Sequence, residues 1–298
     1  WGRKLESNKL DYIFKKYGKG SFLADTDNID NFSIELNTVE YPTYGHTDLR
    51  SPAIEIKLAN GTTLTDFRYE NHSIFRGKKE LRGLPATYME NDLVDKLAEL
   101  RIVLSYTVFE EYDAITRSCR VINNSNNNVE ILRVLSANVD FNSNEFDLIQ
   151  LSGAWARERH MVRTPLRSGN QLIESRRGAS SHAQNPFIAL ASHDANEEYG
   201  DVYGLNLIYS GNFLAQIEVD TYDVSRVSMG INPFGFTWHL DSKEEFQTPE
   251  AVIVYSDSGL NTMSQTFHNL FGKRLARGEW RDKVRPILVN NWEGTYFD

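Results

Sequence analysis

The chain has 298 residues, 40% of them hydrophobic, enough to bury the core of one large domain or two ordinary ones. Its formal net charge of −9, with basic residues scattered rather than gathered in a stripe, disfavours nucleic acid and anionic membranes and makes a neutral partner the easier one to accommodate. Cys119 is the single cysteine, which excludes a disulfide framework and points to a reducing compartment, taken as the cytoplasm; no apolar run reaches transmembrane length.

The chain opens at Trp1 with neither an initiator Met nor a signal pattern, so the expectation is that its natural amino end has been lost. Residues 1–20 are polar and weakly patterned, with Lys15, Lys16 and Lys19, and read as an extended leading segment. Turn clusters follow at 25–31 and at Tyr41-Pro42 with Gly45. Residues 53–58 alternate around Ile54, Ile56 and Leu58 as a strand, and Asn60-Gly61 then signals a hairpin into 62–69, because both residues tolerate positive φ. Leu100, Ile102, Leu104, Tyr106 and Val108 occupy every second position, the pattern of a half-buried strand. Residues 114–122 and 129–135 flank the amide-rich run 123–128, which reads as a hairpin with an exposed tip. Further strands are predicted over 187–191, 203–209, 213–219, 226–231 and 251–255. Turn signals between them indicate an all-β fold, a large antiparallel β-sandwich.

One helix is convincing. Leu260, Met263, Phe267, Leu270, Phe271 and Leu275 recur at helical spacing, with Lys273, Arg274 and Arg277 near the end and Gly278 as the stop. Beyond it, Pro286 introduces an apolar run at 287–289 with strong β propensity, and polar, aromatic and acidic side chains follow at once. A buried parallel strand reads this way when its carboxyl end opens into a site. Such a strand needs neighbours and a crossover to reach them.

The run PILVNNWEGTYFD (286–298) resembles the opening of the catalytic barrel in bacterial α-galactosidases of glycoside hydrolase family 36. The likeness extends back through YPTYGHTDLRSPA (41–53), GLPATY (83–88), SGAWARERH (152–160), ESRRGASSHAQNPFIAL (174–190), YSGNFLAQIEVD (209–220), RVSMGINPF (226–234) and FQTPE (246–250), in the family's order. The resemblance implies three parts: a galactose mutarotase-like β-supersandwich over 1–256, a linker helix over 257–284, and the first strand of a truncated (β/α)8 barrel over 285–298. It implies the amino-terminal portion of a retaining α-galactosidase acting on terminal α-galactosyl residues of melibiose- or raffinose-type oligosaccharides. It further implies a homotetramer in which loops of one amino-terminal domain approach a neighbour's active site, with no cofactor. The second reading is a free-standing carbohydrate-binding or scaffold sandwich.

Glycoside hydrolysis needs two carboxyl groups facing each other across the scissile bond. The family's nucleophile lies in a Lys-Trp-Asp motif and its acid/base follows Ser-Gly-Gly-Gly; neither motif occurs here, so no catalytic residue is assigned and the chain itself is expected to be inactive. Four residues are candidate substrate contacts. Trp292 resembles the family's Trp at the base of the galactose pocket, where an indole face stacks on a pyranose, and Glu293 beside it reads as a hydroxyl-binding or supporting carboxylate. Trp155 resembles the Trp with which the amino-terminal domain closes over that pocket, with core packing as the alternative. Asp48, paired with Arg50 in YGHTDLR, reads either as part of a ligand-binding loop or as a lock on its own turn.

Phe146 stands near a position where relatives carry a pocket Tyr. Glu158, among Arg157, Arg159 and His160, reads as part of a structural ion-pair network. Trp1, Trp238 and Trp280 read as packing residues, and Arg176 and Arg177 as interdomain or intersubunit anchors. The seven histidines show no paired ligand spacing, so no metal site is assigned. Gly18-Lys19-Gly20 lacks the rest of a nucleotide loop, and Ser180-Ser181-His182 lacks an orienting acid.

Overall fold

The computed structural model describes residues 38–45, 48–78, 86–180 and 182–297. The leading segment 1–20 with Trp1 and Gly18-Lys19-Gly20, the turn cluster 25–31, and Ser181 lie outside these residues. In chain order the strands are β1 (Ile54–Lys57), β2 (Arg68–Arg76), β3 (Thr87–Asp95), β4 (Leu100–Phe109), β5 (Ala114–Asn123), β6 (Val129–Phe141), β7 (Asp147–Ala154) and β8 (Arg157–Pro165). There follow β9 (Gly169–Glu174), β10 (Gln184–Ala191), β11 (Val202–Leu207), β12 (Phe213–Val219), β13 (Ser225–Ile231), β14 (Trp238–Leu240), β15 (Glu245–Gln247) and β16 (Ala251–Ser256), then helix α1 (Gly259–Leu270).

The strands form two sheets. The smaller runs β1-β6-β13-β12-β9 with β14 also on β6, and the larger runs β2-β3-β4-β5-β16-β11-β10-β7-β8 with β15 also on β5. Side-chain alternation then sets the layers. In β16, Ala251 and Ile253 face the smaller sheet and meet Phe213, Ile217 and Val227 of β12 and β13. Val252 and Val254 point the other way and pack under Leu260, Met263 and Phe267 of α1. The same division holds in β10, where Ile188 and Leu190 face inward and Ala189 and Ala191 face the helix. A sheet covered on both faces reads as an unbroken apolar run, as 251–254 does. Small residues let the helix sit close: a Cβ on Gly204 would lie 2.7 Å from Phe267 Cε2. A second part of the core joins β1, β4, β5, β6 and β14 through Ile54, Ile56, Ile102, Val121, Ile131 and Leu240.

Two expectations are corrected. The Asn60-Gly61 turn forms, with Gly61 at φ +85° and its N–H donating to Leu58 O at 2.8 Å, but β1 pairs with β6 and the chain passes on to β2 in the other sheet. Turn chemistry is local, whereas pairing follows the burial of Ile54 and Ile56. The amide run 123–128 likewise joins β5 and β6 of different sheets, so it is an arch rather than a hairpin. Its anchor is buried Asn123, whose Nδ2 donates to Asn127 O at 2.8 Å and whose Oδ1 accepts from Ser125 N at 3.0 Å. Over 285–297 no strand pairing is made among the described residues, and Trp292–Thr295 form a short helical turn, α2. Without a neighbouring ladder, the only bonds open to this backbone are local ones and those to water.

The face of the smaller sheet turned away from the core is polar yet buried. Arg226 of β13 alternates with core residue Val227 and is only 1% exposed. Its Nε donates to Asp140 Oδ1 at 2.9 Å and its Nη2 to Asp48 Oδ2 at 2.7 Å. Arg50 donates to the same Asp48 through Nε at 2.8 Å and Nη2 at 3.0 Å. The segment leading into β1 is strapped over this layer. Val39 N donates to Asp140 Oδ2 at 2.9 Å, Asn138 Nδ2 donates to Val39 O at 3.0 Å, and Ser51 N donates to Glu218 Oε2 at 2.6 Å. Burial by itself would raise the Asp48 carboxyl, but the hydrogen bonds from Arg50 and Arg226 hold it below its ordinary value.

Replacing Arg226 by Met leaves two carboxylates buried without their shared cation, and urea unfolding is expected to show a loss of about 3–5 kcal/mol. The depressed Asp48 carboxyl contributes stability that is full above its unfolded-state value and fades as pH falls through the lower folded one. The melting-temperature gap between wild type and Asp48→Asn is therefore expected to be widest above about pH 4 and to narrow below it. A gap independent of pH would contradict the assignment.

Candidate functional site

Trp155 is carried on the hairpin between β7 and β8, at the edge of the larger sheet. Ser152 pairs with His160 and Ala154 with Arg157, with the register shifting between the two pairs. That shift bends the hairpin tip. Gly153 is required there, because a Cβ would meet Arg157 O at 2.3 Å. Ala156 and Arg159 adopt positive φ of 62° and 56°, a conformation uncommon outside glycine. Glu158, expected in an ion-pair network, instead closes the tip by accepting from Ala156 N at 3.0 Å. The tip is thus over-determined, and it holds Trp155 out in solvent, 85% exposed. Core packing, the alternative for this residue, is not what the fold uses it for.

Trp292 opens the helical turn α2, its N–H donating to Asn290 Oδ1 at 3.0 Å. Tyr296 N donates back to Trp292 O at 2.7 Å, and Phe297 stands edge-on to the indole with ring centroids 4.9 Å apart. The indole remains 45% exposed, and Glu293 on the same turn is exposed. No hydrogen bond, ion pair or ring contact among the described residues joins Trp155 to Trp292, Glu293 or Asp48. The fold sets these residues on separate supports.

Asp48 differs from the others. It is 2% exposed, and both of its oxygens are taken by Arg50 and Arg226, so it locks its turn and is not open to a ligand. Phe146 is packed edge-on against Phe141 and Tyr203, with centroids 5.4 and 5.9 Å away. Trp238 lies against Phe246 with ring centroids 5.0 Å apart yet stays about half exposed, as does Trp280. Arg176 pairs with Glu174 at 2.7 Å and lies over the Phe234 ring at 4.2 Å.

One cluster gave no sequence signal. Asp147 of β7 receives Arg163 Nε at 2.7 Å and pairs with His193 Nδ1 at 2.9 Å, while Arg163 also donates to Ala195 O at 2.6 Å and Ser192 O at 2.9 Å. It clamps the loop after β10 to the base of the Trp155 hairpin. The hydrogen bond to Asp147 raises the His193 pKa above its ordinary value. Among the described residues no group of three or more His, Cys, Asp or Glu is arranged to hold a metal ion.

The glycosyl hydrolase family 36 N-terminal domain model matches residues 1–241, and the melibiase model matches residues 245–298. Alpha-galactosidase AgaA of Geobacillus stearothermophilus is 52% identical over 308 aligned residues, covering 100% of this chain and 42% of AgaA. Alpha-galactosidase Mel36A of Lactobacillus acidophilus is 40% identical over 276 residues, covering 90% of this chain and 38% of Mel36A. Crystal structures of AgaA variants in complex with stachyose and with raffinose align with a TM-score of 0.92 at 51% identity, covering 100% of this chain and 43% of AgaA. The chain thus spans less than half the length of these relatives. Matched over most of its length by that N-terminal domain and over the remainder by the melibiase model, the chain belongs to glycosyl hydrolase family 36.

Proposed function

We propose that this chain is the amino-terminal portion of a retaining α-galactosidase acting on terminal α-galactosyl residues of melibiose- and raffinose-type oligosaccharides. The observation that carries this is the 52% identity with AgaA across the whole chain, together with the stachyose and raffinose complexes of AgaA variants. On this reading 1–256 is a supersandwich domain, 257–284 a linker, and 285–298 the beginning of a (β/α)8 barrel. The apolar run at 287–289 supports it: Ile287 is 97% exposed, and consecutive apolar side chains left in water call for a covering layer. A free-standing binding sandwich has no use for such a run.

Two of the exposed aromatics then have a role. Trp292, at the carboxyl end of the first barrel strand, offers its indole to the C–H face of galactose, and Glu293 accepts from a hydroxyl or supports a neighbouring group. Trp155 closes over the sugar from the sandwich side. Asp48 acts at one remove by holding its turn in shape. The acid/base and nucleophile belong to the family's later barrel motifs, so these residues shape the pocket and the assembly rather than break the bond. We further propose a homotetramer, on the family resemblance, and a cytoplasmic site, supported by the lone and buried Cys119 thiol. A neutral oligosaccharide suits a chain of net charge −9 better than nucleic acid or a membrane surface.

The test is hydrolysis of an aryl α-galactoside. The 298-residue chain is expected to release no phenol while the longer gene product, extended through the barrel, does; cleavage by the chain alone would sink the proposal. In the longer product Trp292→Ala is expected to lower kcat/KM by roughly tenfold, in line with the loss of one aromatic stacking contact. Unchanged kinetics would remove Trp292 from the pocket. Trp155→Ala, which removes an exposed side chain, is expected to change stability by no more than about 0.5 kcal/mol while raising KM.

A further inference from the structure

The last hold of the sandwich on the chain lies at the end of α1. Phe271–Leu275 form a π-helical turn, closed by Ala276 N donating to Phe271 O at 2.8 Å. Such a turn is wider than an α-helical one and bends the axis of the helix it ends. Here it carries Lys273 and Arg274 over the short turn Glu110–Tyr112 that joins β4 to β5. Arg274 Cζ stands 5.6 Å from the centre of the Tyr112 ring and Lys273 Nζ 5.7 Å, both within cation–π range. Arg274 Nη2 also donates to Glu111 Oε2 at 3.4 Å. Beyond this point every residue from Leu275 to Phe297 is exposed. The ion pairs there are local, Arg281 with Asp282 and Lys283 with Glu279, and among the described residues no hydrogen bond or ion pair reaches back to a strand.

The ring is the part of Tyr112 that this contact uses. Its hydroxyl has no hydrogen-bond partner among the described residues, and the side chain is buried in one apolar cluster with Phe267 and Leu270. A tyrosine whose hydroxyl is idle tolerates phenylalanine, so ring and hydroxyl can be separated by substitution. The consequence lies further along the chain. Trp155 and Trp292 stand on separate supports, and a chain free to leave the sandwich in any direction brings the two indoles to one sugar only at a cost in conformational entropy. A fixed exit removes part of that cost.

We propose that Tyr112 is a positioning residue: with Glu111 beside it, its ring holds Lys273 and Arg274 and sets the direction in which the chain leaves the sandwich, so that Trp292 and Trp155 reach the same galactose. This rests on the reading in which both tryptophans contact the sugar. Trypsin tests the anchor on the 298-residue chain, and wild type is expected to be cut first after Arg277 and Lys283, in the exposed stretch. Tyr112→Leu is expected to speed cleavage after Lys273 and Arg274 about threefold relative to cleavage after Arg277, the change in open population that one cation–π contact governs. Tyr112→Phe is expected to match wild type, and Glu111→Ala, at a carboxylate largely in solvent, to shift the pattern in the same sense by less. An unchanged pattern in Tyr112→Leu, or cleavage rising equally after Arg117 and Arg133 inside β5 and β6, would overturn the anchor. In the longer product, Tyr112→Leu is expected to raise KM for raffinose about threefold with kcat unchanged while Trp155 is present, and to add nothing in a Trp155→Ala background. Equal effects in both backgrounds would reveal a general structural role and overturn the positioning. A longer product that cleaves no α-galactoside would overturn the hydrolase reading instead, and the trypsin pattern would then decide the anchor by itself.

Discussion

A guanidinium removed from water as completely as that of Arg226 needs its charge met at contact distance. Two carboxylates far apart in sequence do this, Asp140 on β6 and Asp48 in the segment before β1. Asp48 is shared with Arg50, so one polar cluster joins β6, β13 and the leading segment. The attraction inside such a cluster is largely spent against desolvation, and the cluster is better read as a positional device than as a store of stability. It fixes where Val39 and Ser51 cross the smaller sheet, and hence where β1 begins.

The larger sheet depends on a different constraint. Its central strands are apolar on both faces, so they need a cover on each side: the smaller sheet on one and α1 on the other. Small side chains at Ala189, Ala191 and Gly204 let the helix lie against the sheet, where bulkier ones would hold it off. The flanks are not covered in this way. At one edge β8 carries Trp155 into solvent on its hairpin, and at the other β2 leaves Tyr69, Ile74 and Phe75 exposed. After α1 the chain leaves the sandwich toward Trp292. Surfaces suited to contact are therefore at the margins, and the rigid centre sets their positions.

Much of the fold was legible in advance because burial leaves a periodic trace. The alternation from Leu100 to Val108, the unbroken run around Ile253 and the helical spacing of Leu260, Met263 and Phe267 each match the element that forms. The β7–β8–β9 region was less legible, since its exposed positions weaken the period, and β2 is exposed throughout. Of the candidate site residues, the family motifs picked out Trp155 and Trp292, which are both exposed; they could not show that Asp48 is enclosed. The clamp of Asp147, Arg163 and His193 had no local signal, because its members come from three separate parts of the chain.

The sequence by itself determined the all-β sandwich, the single convincing helix and the family to which the chain belongs, because strand and helix periods and motif order are written locally. Tertiary structure decided what is paired with what. Asn60-Gly61 made its turn but not a hairpin, since Ile54 and Ile56 found their burial against β6. Residues 287–289 had the propensity of a strand but formed none, because a strand is completed only by a neighbour's hydrogen bonds. Asp48 and Asp220 look alike in the sequence as acidic loop residues. Only their surroundings leave one with both oxygens hydrogen-bonded to guanidinium groups and the other with one oxygen on backbone N–H groups and one facing Arg50 at 3.6 Å.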